Sequence, residues 1–207
     1  MPQGKAPGLD GLSPRLLRYC ACGISSSSSV LFNRNFLEGS CPSALKTALV
    51  IPVFKKGSRS DPGTYRLIAL LSIVSKVMER LVHNKLSRFL QPWLCSNQSG
   101  FEKKDGTEAQ LTRLLHEWSV AVDDSNYVAA VFFDLRKAFD RVWHQGLLAK
   151  LAASGVKGLA LKWLTSFLSG RRQATLVDGT LSDFSPLHAV VPQGCDLKPA
   201  FVFCLHE

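Results

Sequence analysis

Two carboxylates, Asp134 and Asp140, stand where chemistry is easiest to imagine. They lie in the stretch "AAVFFDLRKAFDRVWH", residues 129–144, where an apolar run meets one acid and, six residues on, a second. On one helix a separation of six would put them on different faces, because helical neighbours recur at three, four and seven. They would not share a metal ion that way. If instead a strand ends near Asp134 and the chain turns into a helical segment, Asp134 points into a cleft mouth. Asp140 is then left to local pairing, with Arg141 the nearest partner. Asp134 alone is the metal-ligand candidate, and the plain alternative is that it caps the following turn.

A carboxylate that binds metal needs a charged partner to act on, and the charge distribution supplies a class. Residues 1–104 hold 15 Lys and Arg against 5 acids, whereas residues 105–207 hold 10 against 11. The first half is therefore +10 and the second −1, within a formal net charge of +9. A basic surface beside a carboxylate-bearing half suits a nucleic-acid enzyme, since phosphates need cations and metal ions need carboxylates. A solvated basic face is the other reading. The six cysteines include no C-x-x-C pair, and the histidines show no ligand spacing, so no zinc site is expected. With no apolar signal segment after Met1, the chain reads as intracellular, in nucleus or cytoplasm and not secreted, with reduced thiols. The longest apolar runs, "ALVIPVF" and "YVAAVFF", are too short to span a bilayer, so no membrane partner is expected. No oligomeric state follows from the sequence.

The elements that must position these residues can be read along the chain. After the Gly/Pro-punctuated opening "GKAPGLDGLSPRLLR" come a short helical segment and the serine run Ser25 to Ser29. "TALVIPVF" predicts a strand, and "KKGSRSDPGTYR" a basic turn with Lys55, Lys56, Arg59 and Arg66. Apolar residues from Val74 to Leu90 recur at helical spacing, with Lys76, Arg80, Lys85 and Arg88 on a basic outer face. Thr107 and Gln110 form a capping-box pattern ahead of a second helix, which stops at "DDSN". The run Tyr127 to Phe133 predicts a strand buried on both faces. Two short helices end near Gly155 and Gly170, and "QATLVDGTLSDF" predicts a hairpin turning at Asp178-Gly179. The loop "VVPQGCD" and an apolar tail follow.

The pattern D-x-x-x-A-F-D-R-V-W-H at Asp134 resembles the first catalytic motif of reverse transcriptases from non-long-terminal-repeat retrotransposons, the jockey and LINE-type elements. Five further stretches resemble that family's successive blocks in its order. They are "GKAPGLDGLSPRLLR", "LKTALVIPVFKKGSRSDPGTYRLIALLSIVSKVMERLV", "NQSGFEKKDGTEAQL", "GLLAKLAASGVKGLALKWLTSFLSGRRQ" and "VVPQG", so the resemblance covers nearly the whole chain.

The resemblance implies an α+β fold, a partial right-hand polymerase with fingers, an incomplete palm and no thumb. Residues 1–47 would lead into the fingers and 48–207 would form the partial reverse transcriptase domain. It implies that Asp134, with the backbone carbonyl of Leu135, ligates two Mg2+ ions. Phe139 would be the steric gate against a ribonucleotide 2′-hydroxyl, with a core phenylalanine as the alternative. Arg66 would clamp the incoming triphosphate, with Lys55 or Lys56 assisting. Gln193 and Gly194 would contact the nucleotide in the second palm motif, where glycine permits close backbone approach. The implied partners are an RNA template, a DNA primer and deoxynucleoside triphosphates.

The family's next carboxylates come from an aromatic-x-Asp-Asp hairpin after the PQG motif, which this chain does not reach. Asp196 and Lys198 stand where small or apolar residues are usual, Leu67 where proline is, and Glu102 where arginine is. The expectation is therefore an RNA-directed DNA polymerase domain, with a truncated, catalytically inactive remnant that only binds nucleic acid as the rival reading. A partner-binding domain that reuses the scaffold is the third.

Overall fold

The structure is a computed structural model that describes residues 6–93, 98–100, 105–133, 142–187, 195, 197 and 201. The chain divides into two units, Met1–Leu90 with Ala138–Glu207, and Gln91–Lys137.

The first unit opens with α1 (Pro14–Tyr19), started by Ser13, whose hydroxyl accepts the Leu16 amide, with Pro14 preset for the first turn. The serine run lies inside α2 (Ala21–Glu38), which stops where Gly39 turns left-handed at φ 61 and returns its N–H to Asn35 and Phe36 carbonyls. Strand β1 (Thr47–Phe54) then pairs antiparallel with β2 (Tyr65–Leu71), from Ala48 opposite Leu71 to Phe54 opposite Tyr65. After α3 (Ile73–Leu90), and beyond the second unit, come α5 (His144–Ala153) and α6 (Gly158–Leu168). Strand β3 (Arg171–Val177) lies parallel to β1, with Thr47 opposite Arg172. Strands β4 (Thr180–Leu181) and β5 (Ser185–Leu187) both pair antiparallel with β3. The β3–β4 turn falls at Asp178 and Gly179, both at positive φ, as the Asp-Gly signal predicts.

The sheet's buried residues Ala48, Ala69 and Leu71 join one cluster with Met78, Leu147, Leu151, Trp163 and Phe167. Each large side chain there contributes roughly 1.5–3 kcal/mol by leaving water. At the centre Trp163 stacks on Phe167, ring centroids 5.3 Å apart, and meets Phe36 at 5.0 Å. From the apolar tail, Leu197 and Phe201 are buried in the same cluster.

Three expectations are corrected. Lys76 is not on the outer face of α3 but buried, because the helix's first two turns are covered on nearly every side; Leu81 and Phe89, from the apolar set, are half exposed instead. In the second unit, α4 (Thr107–Asp123) has Gly106 as its cap residue with no side-chain cap. Thr107 is already helical, and the Gln110 carbonyl accepts from Ser99 and Arg113 rather than reaching back to the helix start. The third is the run Tyr127–Phe133, which forms no strand and is open to solvent, Tyr127 fully and Phe133 at 90 %. A strand needs a ladder partner to satisfy its backbone, and no described strand pairs with this run.

Candidate nucleotide and nucleic-acid site

Of the site residues expected from sequence, Arg66, Lys55 and Lys56 are described, and the β1–β2 hairpin brings them together. Asp134, Leu135, Phe139, Gln193 and Gly194 lie outside the described residues. Arg66 sits opposite Val53 near the hairpin end, and Lys55 and Lys56 begin its loop; all three are exposed.

The loop between these strands is ordered by its own polar groups. The Asp61 carboxylate accepts the Gly63 amide at 2.8 Å, holding the short 3-10 turn Pro62–Thr64. The Thr64 hydroxyl is shared between the Ser58 and Asp61 carbonyls at 2.7 and 2.6 Å, and the Lys55 amide bonds the Thr64 carbonyl at 2.9 Å. Gly57, at φ 103, supplies the backbone turn that an L side chain would strain.

Aromatic residues brace the same loop. The Tyr65 hydroxyl donates to the Arg59 carbonyl at 2.8 Å, Phe54 and Tyr65 meet edge to face at 5.5 Å, and the Arg59 guanidinium lies 5.3 Å from the Phe54 centroid. Directly opposite residues share a sheet face and successive ones alternate, so Arg66 and Val53 are on one face and Phe54 and Tyr65 on the other.

Electrostatically the tip is a concentration of exposed cations. Among the described residues none of Lys55, Lys56, Arg59 and Arg66 enters an ion pair, and the one acid in the loop, Asp61, is spent on the Gly63 amide. Such an arrangement can bind phosphate: lysines as mobile point charges, arginine as a planar fork. Sequence reasoning placed Arg59 in the basic turn but missed its stacking on Phe54. The signal was the pair of aromatics flanking the turn, in "VFKK" and "TYR".

Behind the hairpin lies a buried polar node. Glu79 on α3 is 1 % exposed, and its carboxylate accepts the Ser75 hydroxyl at 2.7 Å; that hydroxyl also reaches the Leu45 carbonyl just before β1. Arg171, fully buried, donates to the Phe167 carbonyl at 3.1 Å and stacks over the Phe167 ring. Burial pushes the Cys41 thiol up to about 11. Burial also raises Cys195 well above the ordinary thiol range, helped by the nearby Glu79 charge. The Lys46 ammonium, which reaches the Ser166 hydroxyl at 3.3 Å, is lowered by desolvation. None of this was legible as a site in the sequence, because the residues come from four separate stretches.

Among the described residues no group of three or more His, Cys, Asp or Glu could hold a metal ion, and no helix is long and apolar enough to cross a membrane.

Comparison with known proteins gives concordant results. The chain is 36% identical over 202 residues to the RNA-directed DNA polymerase from mobile element jockey of Drosophila melanogaster, covering 96% of this chain and 22% of that protein. It is 33% identical over 205 residues to the probable RNA-directed DNA polymerase from transposon BS of the same fly, covering 96% and 22%. It is 32% identical over 206 residues to the probable RNA-directed DNA polymerase from transposon X-element, also of that fly, covering 98% and 22%. The chain thus spans about a fifth of the length of these relatives. Residues 53–206 match the family model described as reverse transcriptase (RNA-dependent DNA polymerase), and on that match the chain belongs to the reverse transcriptase family.

Proposed function

We propose that this chain supplies the fingers and part of the palm of a right-hand RNA-directed DNA polymerase of a retrotransposon, with residues 48–207 as the polymerase portion and 1–47 leading into it. The observation that carries the reading is the self-braced hairpin that presents Arg66, Lys55 and Lys56 to solvent with no ion-pair partner among the described residues. In this reading the partners are an RNA template, a DNA primer and a deoxynucleoside triphosphate, inside the cell in nucleus or cytoplasm.

Arg66 forks onto phosphate oxygens of the nucleotide, and Lys55 and Lys56 neutralise charge beside it. Phe139 lies against the sugar and excludes a 2′-hydroxyl, while Gln193 contacts the nucleotide and Gly194 lets the backbone approach. Positioning of this kind is most of what a protein contributes to phosphoryl transfer.

Reverse transcriptases as a family use divalent metal ions. For this chain the proposed ion is Mg2+, for which Asp134 and the Leu135 carbonyl would supply oxygens when the ions are bound. A two-ion site also needs carboxylates from a second segment, and among the described residues no group of three or more His, Cys, Asp or Glu could hold an ion.

The test is titration of a deoxynucleoside triphosphate into the chain and its Arg66→Ala variant. Loss of a charge-assisted contact worth about 1.5–3 kcal/mol weakens binding roughly 10- to 150-fold. Equal affinities would refute the nucleotide role of the hairpin. The second reading, a chain that binds nucleic acid without polymerising, rests on the +10 charge of residues 1–104. Primer extension on an RNA template, with Asp134→Ala as control, separates the two.

A further inference from the structure

The sheet has a second face that the core does not use. Ala48, Val50, Ala69 and Leu71 are buried on one side, so by alternation Thr47, Leu49, Ile51, Val53, Ile68 and Leu70 lie on the other. None of these six is buried. Two exposed arginines bound this outer face, because cross-strand partners share a face: Arg66 is opposite Val53, and Arg172 on β3 is opposite Thr47. Thr47 and Val53 are about 20 Å apart along β1, and the step from β2 across to β3 adds about 10 Å sideways, so the two arginine positions are separated by about 22 Å on a diagonal. The three strands carry no acidic residue, and neither arginine enters an ion pair among the described residues. Arg172 is also braced. Its guanidinium lies 5.5 Å from the Phe184 ring centroid and donates to the Phe184 carbonyl at 3.5 Å, and Phe184 is itself 37 % exposed.

We propose that Arg172 and Phe184 form a second nucleic-acid contact, and that a single strand of RNA crosses the outer face of the sheet from this pair to Arg66. The proposal rests on the proposed function for the far end of that path, the cationic hairpin. A planar cation held beside an exposed ring offers a stacking surface to a nucleobase and a charge to its phosphate. The aliphatic floor between the two arginines favours an unpaired strand. A duplex would bring phosphates to that floor and leave the Phe184 ring without a base, whereas an unpaired strand can lay base faces on both. A cation at each end and no carboxylate between them match a polyanion that runs the length of the diagonal. At a stacked rise of roughly 3.4 Å per nucleotide, the span of about 22 Å corresponds to about six nucleotides.

The experiment titrates a labelled single-stranded RNA, long enough to cover the diagonal at roughly eight nucleotides, into the 207-residue chain and its Arg172→Ala and Phe184→Leu variants. Both substitutions fall at exposed positions and spare the fold, as checked by circular dichroism. The parent is expected to bind a single RNA per chain. Arg172→Ala should lower the slope of log K against log salt by about 0.7, the value of one phosphate contact on a single strand. Phe184→Leu should keep the parent's slope and weaken binding about 5- to 150-fold, the range for loss of one base–aromatic stack. An unchanged slope in Arg172→Ala, or an unchanged affinity in Phe184→Leu, overturns the contact. A second RNA bound per chain means separate sites and overturns the diagonal path, and a duplex of the same length that binds as tightly overturns the assignment to an unpaired strand. The nucleotide role of Arg66 is read separately, by titrating a deoxynucleoside triphosphate into Arg66→Ala. Its failure there leaves the Arg172 and Phe184 results, which are measured with RNA alone, to stand or fall by themselves.

Discussion

Replacing Lys55 and Lys56 together by alanine removes two of the four exposed cations at the hairpin tip while leaving the loop's internal bonds in place. The Asp61 to Gly63, Thr64 to Ser58 and Tyr65 to Arg59 hydrogen bonds involve neither lysine side chain, so the tip keeps its shape. If all four cations touch phosphates of a single-stranded RNA, log K falls against log salt with a slope of about −2.8, at roughly 0.7 per contact. Between 50 and 200 mM salt that is a loss of about 50-fold. The double variant should show a slope nearer −1.4 and a loss of only about sevenfold over the same range. Fluorescence anisotropy of a labelled RNA oligonucleotide at five salt concentrations measures both slopes. A variant with the parent's slope would show that these lysines face solvent only, whatever its absolute affinity.

Two further outcomes follow from the core of the first unit. Trp163→Ala removes a buried ring that packs between Phe36 and Phe167, and should cost about 3–5 kcal/mol in urea unfolding. Trp163→Phe should cost much less, since it keeps a ring and deletes an indole N–H that has no partner among the described residues. The Cys41 thiol, pushed up to about 11 by burial, holds its proton more tightly folded than unfolded. Its contribution is therefore fully present below the unfolded thiol value near 8.5 and is lost as pH rises towards 11. Stability measured by denaturant should fall by about 1–2 kcal/mol across that window, and Cys41→Ala should flatten the fall.

Elements whose signal is local were legible in the sequence. The Asp178-Gly179 pair needs positive φ at both positions and obtains it, and Thr47–Phe54 is a strand as its branched and aromatic residues predict. Periodicity found α3 but could not say how much of its circumference is covered. Lys76 reads as an outer-face residue by spacing alone, yet the first turns of α3 are enclosed and its side chain is buried with them. The capping box at Thr107 failed for a different reason. Gln110 had a competing partner in Arg113, one turn along the helix, and a charge-assisted bond to guanidinium outweighs a neutral one to a backbone amide.

The site divides along the same line. Arg66, Lys55 and Lys56 belong to one contiguous stretch, and the hairpin sets Arg66 opposite Val53, two residues before Lys55. The buried node could not be found this way. Leu45, Ser75, Glu79, Arg171 and Cys195 are distant in sequence, and each alone carries an ordinary meaning: a helix serine, a helix acid, a strand arginine, a small hydrophobe. What marks them is the cost of burying a charge, which a sequence does not display. Arg171 makes the point most plainly. It opens β3 next to Arg172 in "GRRQ", and nothing in that doublet says that Arg172 faces out while Arg171 is fully enclosed. The difference arises because Phe167, one helical turn earlier, offers both a free carbonyl and a ring face to whichever arginine points inward. A residue that is charged, buried and held by one bond and one ring has been placed by its neighbours, so the chemistry of this fold has to be sought where separate elements meet as well as in its motifs.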